Sequence, residues 1–124
     1  MSDAALRILV AEDQPLLRRL LDAVLVERGH KVELVEDGLQ ALAELEQRSY
    51  DVLVTDFRMP VMTGADLIRA LRGRPEPLGI VLMSANSLEE TSLSAEELSG
   101  VVFLRKPFGL DELHRAIQES GSSR

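Results

Sequence analysis

The sequence predicts an α/β domain built around a parallel sheet. Two observations carry that prediction. Short apolar runs of strand length alternate along the chain with stretches whose leucines repeat at helical spacing. The third run, Val52, Leu53 and Val54, is continuous rather than alternating. A continuous run suits a strand covered on both faces, the usual state in a parallel sheet.

The elements follow in order. Leu6 to Ala11 is the first apolar run, reads as a central strand, and ends in Glu12-Asp13. Pro15 then sits near a first helical position, where its missing N–H costs nothing. Leu17, Leu20, Leu21, Val24 and Leu25 repeat at helical spacing, and Gly29 is a natural stop. Val32 and Leu34 alternate with Lys31 and Glu33, the pattern of a half-exposed edge strand whose charges discourage pairing with another chain. Asp37 is placed to cap the next helix, with Gln40 at the capping-box position and Ala41, Leu42 and Leu45 on the buried face. The strand at Val52 ends at Asp56, and Met59-Pro60 then blocks a helix. Thr63 can cap the helix that follows, with Asp66 three residues on, while Gly64 allows a close turn. That helix buries Leu67, Ile68 and Leu71 and stops at Gly73. Ile80 to Met83 is a fourth strand ending in Ser84, and Val101 to Leu104 is a fifth ending near Lys106. Leu110, Leu113 and Ile117 mark a last amphipathic helix.

Between Ser87 and Gly100 the alternation calls for a helix that the residues support poorly. Leu88, Leu93 and Leu98 recur every five residues, which does not keep one helical face. Thr91, Ser92, Ser94 and Ser99 are mediocre helix formers, and Ser94 with Glu97 makes a capping box in mid-segment. The segment reads as two short pieces, or as one loose helix broken near Ser92.

Composition narrows the function. A chain of 124 residues makes one domain with a real core, read as residues 1–120, with residues 121–124 as a flexible tail. Cysteine is absent, which excludes disulfides and thiolate metal sites and fits a reducing, cytoplasmic setting. No apolar run reaches the length of a membrane span, and no signal-peptide pattern opens the chain. A net charge of −7 argues against direct nucleic-acid binding.

A parallel sheet brings the carboxyl ends of its strands to one edge, where ligands bind. That edge gathers Glu12, Asp13, Asp56, Ser84 and Lys106. Taken singly, each has a plain structural role: Asp56 as a turn cap, Glu12-Asp13 as acids at a helix start, Lys106 as an ion-pair partner. Together, three carboxylates in one crevice repel one another and call for a cation. Magnesium suits such a site, because it takes a few carboxylates, keeps several waters and shares a phosphate. Zinc suits it less, because His30 and His114 lie elsewhere and there is no thiolate. A carboxylate can act as a nucleophile and form an acyl phosphate. Asp56 would attack, the cation and Lys106 would neutralise phosphoryl oxygens, and Ser84 would donate a hydrogen bond to one of them.

Four stretches then resemble one family in order: ILVAEDQPLLR, DVLVTDFRMPVMTG, LMSAN and FLRKPF. The chain is similar, from about Leu6 to Ser120, to the CheY-like receiver domains of two-component response regulators. The resemblance implies a flavodoxin-like (βα)5 doubly wound fold, five parallel strands in the order 2-1-3-4-5. It implies that Asp56 is phosphorylated, and that Asp13, Asp56 and the backbone carbonyl of Arg58 bind magnesium, with Glu12 acting through a metal-bound water. Glu12 departs from the aspartate the family usually has there. Ser84 takes the place of the switch hydroxyl, Lys106 that of the phosphate-binding lysine, and Phe103 that of a rotating aromatic residue. Phe103 lacks a hydroxyl and so can report by burial alone. Lys106-Pro107 matches a cis peptide of the family.

The implied function is that of a phosphoacceptor, not an enzyme in its own right, that assists its own phosphorylation and dephosphorylation. Its phosphodonor would be a phosphohistidine on a sensor histidine kinase or a histidine phosphotransfer protein. A downstream protein target would meet the face made by residues 87–100, the fifth strand and the last helix. The chain would be a monomer or a phosphorylation-dependent homodimer. The alternatives are a phosphorylation-independent docking module, a receiver fragment of a hybrid histidine kinase, and one of a DNA-binding response regulator. A haloacid-dehalogenase-type phosphatase wants a second acid where Arg58 stands, and a flavin binder would find its phosphate repelled by Glu12-Asp13.

Overall fold

The computed structural model describes residues 5–74 and 77–122. Its strands are β1 (Arg7–Ala11), β2 (Lys31–Val35), β3 (Val52–Asp56), β4 (Gly79–Ser84) and β5 (Val101–Arg105). The helices are α1 (Pro15–Glu27), α2 (Gly38–Gln47), α3 (Gly64–Leu71) and α4 (Leu110–Ser122). All strand pairings are parallel, and the sheet order is β2-β1-β3-β4-β5. Both faces of the sheet are covered. Successive strand residues point to opposite faces, so Leu9, Leu53 and Leu82 pack under α2 and α3. Ile8, Val10, Val54 and Met83 pack under α1 and α4. β3 and β4 are buried along their whole length, whereas β2 on the edge is only partly so.

Local chemistry sets the helix ends. Pro15 opens α1, and Gly29, at φ +93°, stops it. Asp37 accepts the Gln40 N–H, and the Gln40 side chain reaches back to the Glu36 N–H, one residue before the expected partner. Thr63 and Asp66 form both bonds of a capping box. Val61 sits at φ +72° in a tight turn closed by the Met62 N–H on the Pro60 carbonyl. That reversal lets Gly64 N donate to Phe57 O at 2.8 Å. A Cβ on Gly64 would lie 2.5 Å from the Asp56 carbonyl oxygen, so only glycine fits beside this carboxylate.

Two regions refine the sequence reading. Residues 85–100 hold only a 3-10 turn, Glu89–Thr91, which ends at Ser92 in the left-handed conformation at φ +57°. The break at Ser92 agrees with the poor apolar spacing. Ser94 and Glu97 exchange their capping-box bonds around a second short turn. Ser87 and Glu90 do the same before the first, a pair the sequence reading passed over. At the other end, α4 runs through Gly121 to Ser122, where a flexible tail was expected. Ser120 is fully buried, and its carbonyl sits where any Cβ on Gly79 would clash. Residues 123–124 lie outside the described residues. His30 is buried just before β2, and its Nδ1 accepts the Leu6 N–H. None of the described helices is long and apolar enough to cross a membrane.

Candidate functional site

The site is assembled by strand register. Asp56 ends β3 opposite Met83, and Ser84 ends β4 opposite Arg105, so the strands deliver their terminal residues to one edge. Glu12 and Asp13 follow β1 there, and Lys106 follows β5 with its N–H on the Ser84 carbonyl at 2.8 Å. One oxygen from each of Glu12, Asp13 and Asp56 lies within 4.8 Å of the others. The cavity that Asp13 and Asp56 border, of about 340 Å³, is also lined by Arg58, Ser84, Asn86 and Lys106.

Burial makes this crevice electrostatically costly. Asp56 is buried and Glu12 completely so, while Asp13 faces solvent. Lys106 Nζ lies 3.0 Å from Asp56 Oδ1 and 3.7 Å from Glu12 Oε1. The Phe57 N–H donates to the same Asp56 oxygen at 3.0 Å. Even so, desolvation outweighs these partners and raises the Asp56 carboxyl above its ordinary range. Burial likewise pushes the Glu12 carboxyl up to about 7, against the opposing Gln14 N–H and with help from the charge on Asp56.

Such a cluster is suited to a divalent cation. Glu12 Oε1 is buried without a hydrogen-bond partner, and the Lys106 ammonium is shared between Glu12 and Asp56 while Asp13 adds a third carboxylate. A cation held by oxygen ligands would supply the missing positive charge, and the donor set, oxygen throughout, is the one magnesium prefers.

The other expected residues fall into two groups. Ser84 is buried at the cavity wall, and its Oγ accepts the Asn86 N–H at 2.9 Å. Arg58 lines the cavity and donates from Nε to Asn86 Oδ1 at 3.3 Å. Phe103 stands apart from the cavity lining, half-buried on β5 against the apolar cluster that includes Leu93 and Leu98. The Lys106–Pro107 bond is cis. Asn86, Phe57 and Gln14 were missed by the sequence reading. Asn86 lies within the quoted LMSAN stretch, so its place was visible although its role was not. The other two act through backbone N–H groups, which carry no residue signal.

Comparison with known proteins bears directly on this geometry. A family model described as the response regulator receiver domain matches residues 8–118. The transcriptional regulatory protein TcrA of Mycobacterium tuberculosis is 32% identical over 121 residues, covering 95% of this chain and 48% of TcrA. The two-component response regulator PhoP of Pseudomonas aeruginosa is 33% identical over 108 residues, covering 87% of this chain and 48% of PhoP. The chain thus spans about half the length of the curated relatives it matches. Among solved structures, the receiver domain of sensor histidine kinase PA1611 from Pseudomonas aeruginosa superposes with a TM-score of 0.84 at 32% identity, over 96% of this chain and 99% of that one. That structure has magnesium coordinated in its active-site cleft. The response regulator TrrA of Thermotoga maritima, solved with magnesium and BeF, gives 0.81 at 30% identity, over 92% of this chain and 97% of its own.

Proposed function

The chain belongs to the response regulator receiver domain family, and on that premise we propose that it takes a phosphoryl group from a phosphohistidine onto Asp56 with magnesium bound. The observation that carries this reading is the buried Asp56 carboxylate, facing Lys106 at 3.0 Å beside two further acids. A bond forms between an Asp56 oxygen and phosphorus while the phosphorus–nitrogen bond breaks, and the imidazole leaves. Both donors touch Oδ1, so Oδ2 is the oxygen free to attack. Lys106 stays beside the phosphoryl oxygens, and Ser84 turns its hydroxyl toward one of them. Asp13, Asp56 and the Arg58 carbonyl would hold magnesium directly, with Glu12 acting through a water. Such a cation would supply charge to neutralise the phosphoryl oxygens, which phosphoryl transfer needs above all. Phe103 moves with the segment it packs beside, and the face made by residues 87–100, β5 and α4 meets the downstream protein.

The chain is an acceptor in this scheme and turns over no separate substrate. The exchange is placed in the cytoplasm, and the chain acts as a monomer or as a dimer formed on phosphorylation. Exposure to acetyl phosphate is expected to add one acid-labile phosphoryl group, seen by intact mass, and only when magnesium is present. Equal labelling in excess EDTA would count against the site.

A protein donor has a place to dock. A groove of about 430 Å³ runs between α1 and the start of α4, lined by Leu17, Leu20, Val24, Phe108 and Leu110. It shares Ala85 and Lys106 with the phosphoryl cavity. Leu16 and Leu20 stand 81% and 53% exposed, so the apolar stripe of α1 extends beyond what the sheet buries. A helix of the donor seated there would bring its phosphohistidine to Asp56. Leu20→Asp is expected to slow transfer from a phosphorylated histidine phosphotransfer protein about tenfold, with the acetyl phosphate rate unchanged. Equal slowing with both donors would move the docking surface elsewhere.

A further inference from the structure

Two arginines at the end of α3 hold the segment that follows β4: Arg69 lies in its last turn, and Arg72 is its C-cap residue. Arg69 Nε donates to Glu97 Oε2 at 2.8 Å, and its Nη2 donates to the Ser92 carbonyl at 3.1 Å. Arg72 Nη2 donates to the carbonyls of Glu97 and Ser99. The same Glu97 closes the second turn by accepting the Ser94 N–H through Oε1. The Arg69 hydrogen bond holds the Glu97 carboxyl below its usual range, and Glu97 in return raises Arg69.

Apart from Leu93 and Leu98, which pack in the apolar cluster, little else fixes this stretch. Between Ser84 and Val101 only Thr91 and Leu93 are buried, and regular helix is limited to Glu89–Thr91. Both sides of the clamp also lead back to Asp56. α3 starts at Gly64, packed against the Asp56 carbonyl. The segment starts beyond Ser84, whose Oγ accepts the Asn86 N–H. A change at Asp56 therefore reaches the segment from two directions, and the arginines join them.

We propose that Arg69 and Arg72 form a latch that holds residues 92–99 in the arrangement seen here and opposes the one favoured when Asp56 carries a phosphoryl group. This rests on the phosphoacceptor reading and adds the element that sets its resting equilibrium. Contacts made in one state stabilise that state, and a ligand shifts the balance only by its differential affinity. Loosening the latch must therefore tighten binding of whatever favours the other state, because coupling is reciprocal.

The test uses the full chain carrying Arg69→Ala and Arg72→Ala together, both at exposed positions. Amide exchange in residues 87–100 is measured without additives, and beryllofluoride is titrated by NMR with magnesium present. Exchange is expected to speed up, and the mimic to bind about fivefold more tightly. Glu97→Gln, which leaves both arginines in place, is expected to shift both readouts in the same direction by less. Unchanged exchange would overturn the latch. So would faster exchange with unchanged or weaker mimic affinity, since the arginines would then be plain scaffolding while the phosphoacceptor reading stood. A wild-type chain that failed to bind the mimic at all would remove both.

Discussion

Asp56→Asn is expected to abolish labelling by acetyl phosphate and by any phosphohistidine donor, down to the background of a chain without magnesium. The amide is a poor nucleophile and cannot form the acyl phosphate. The same substitution should raise the melting temperature of the metal-free chain near neutral pH. The reason lies in the crevice. Asp56 carries its charge while buried beside Glu12 and Asp13, and its carboxyl is raised by desolvation in spite of Lys106. A neutral isostere removes that penalty and keeps the shape. Lys106 retains Glu12 at 3.7 Å as a counter-charge. Phosphate chemistry and resting stability thus oppose each other at one residue, as they do where a site stores unfavourable charge. Intact-mass spectra and thermal melts in EDTA check the two halves separately. Persistent acid-labile adduct on Asp56→Asn would place the acceptor elsewhere.

Much of the fold was legible because burial leaves a period in the sequence. Val52 to Val54 could be read as a doubly covered strand from its unbroken apolar run. Lys31 to Leu34 could be read as an edge strand from its alternation, and β2 is at the edge. The order of the strands was not in the periodicity, since each apolar run is compatible with several positions; the family resemblance supplied it. The site's charged members were legible for a different reason: they sit at strand ends, and a parallel sheet gathers those ends. What stayed hidden depends on contacts between distant residues. The reach of Arg69 to Glu97 spans 28 positions and has no local signal. Gly121 reads as a tail residue because small residues are usual in loose termini. Its half-buried place beside Leu6 depends on how far α4 extends along the sheet.

The departure at Glu12 leads to the second large effect. The Glu12 carboxyl is pushed up to about 7 from its ordinary 4.5, first by burial, with the Gln14 N–H and Lys106 opposing and Asp56 adding. In the unfolded chain it would ionise near 4.5. Between those values the folded state holds a proton that the unfolded state has lost. The unfolded chain then binds fewer protons, so stability falls as pH rises through this window. The contribution is fully present below about 4.5 and gone above about 7. Asp56, also raised, acts with the same sign. Magnesium should reverse the trend, because oxygen ligands must be ionised to hold it, and its affinity therefore rises with pH as protons cease to compete. In EDTA the melting temperature is expected to fall between about pH 5 and about pH 8, and with saturating magnesium the fall should vanish or invert. Glu12→Gln should flatten the EDTA profile in part, leaving the share that belongs to Asp56, and should weaken magnesium binding. A metal-free profile that rises or stays level across that range would mean the crevice carboxylates ionise freely in the fold. The electrostatic demand for a cation would then be absent.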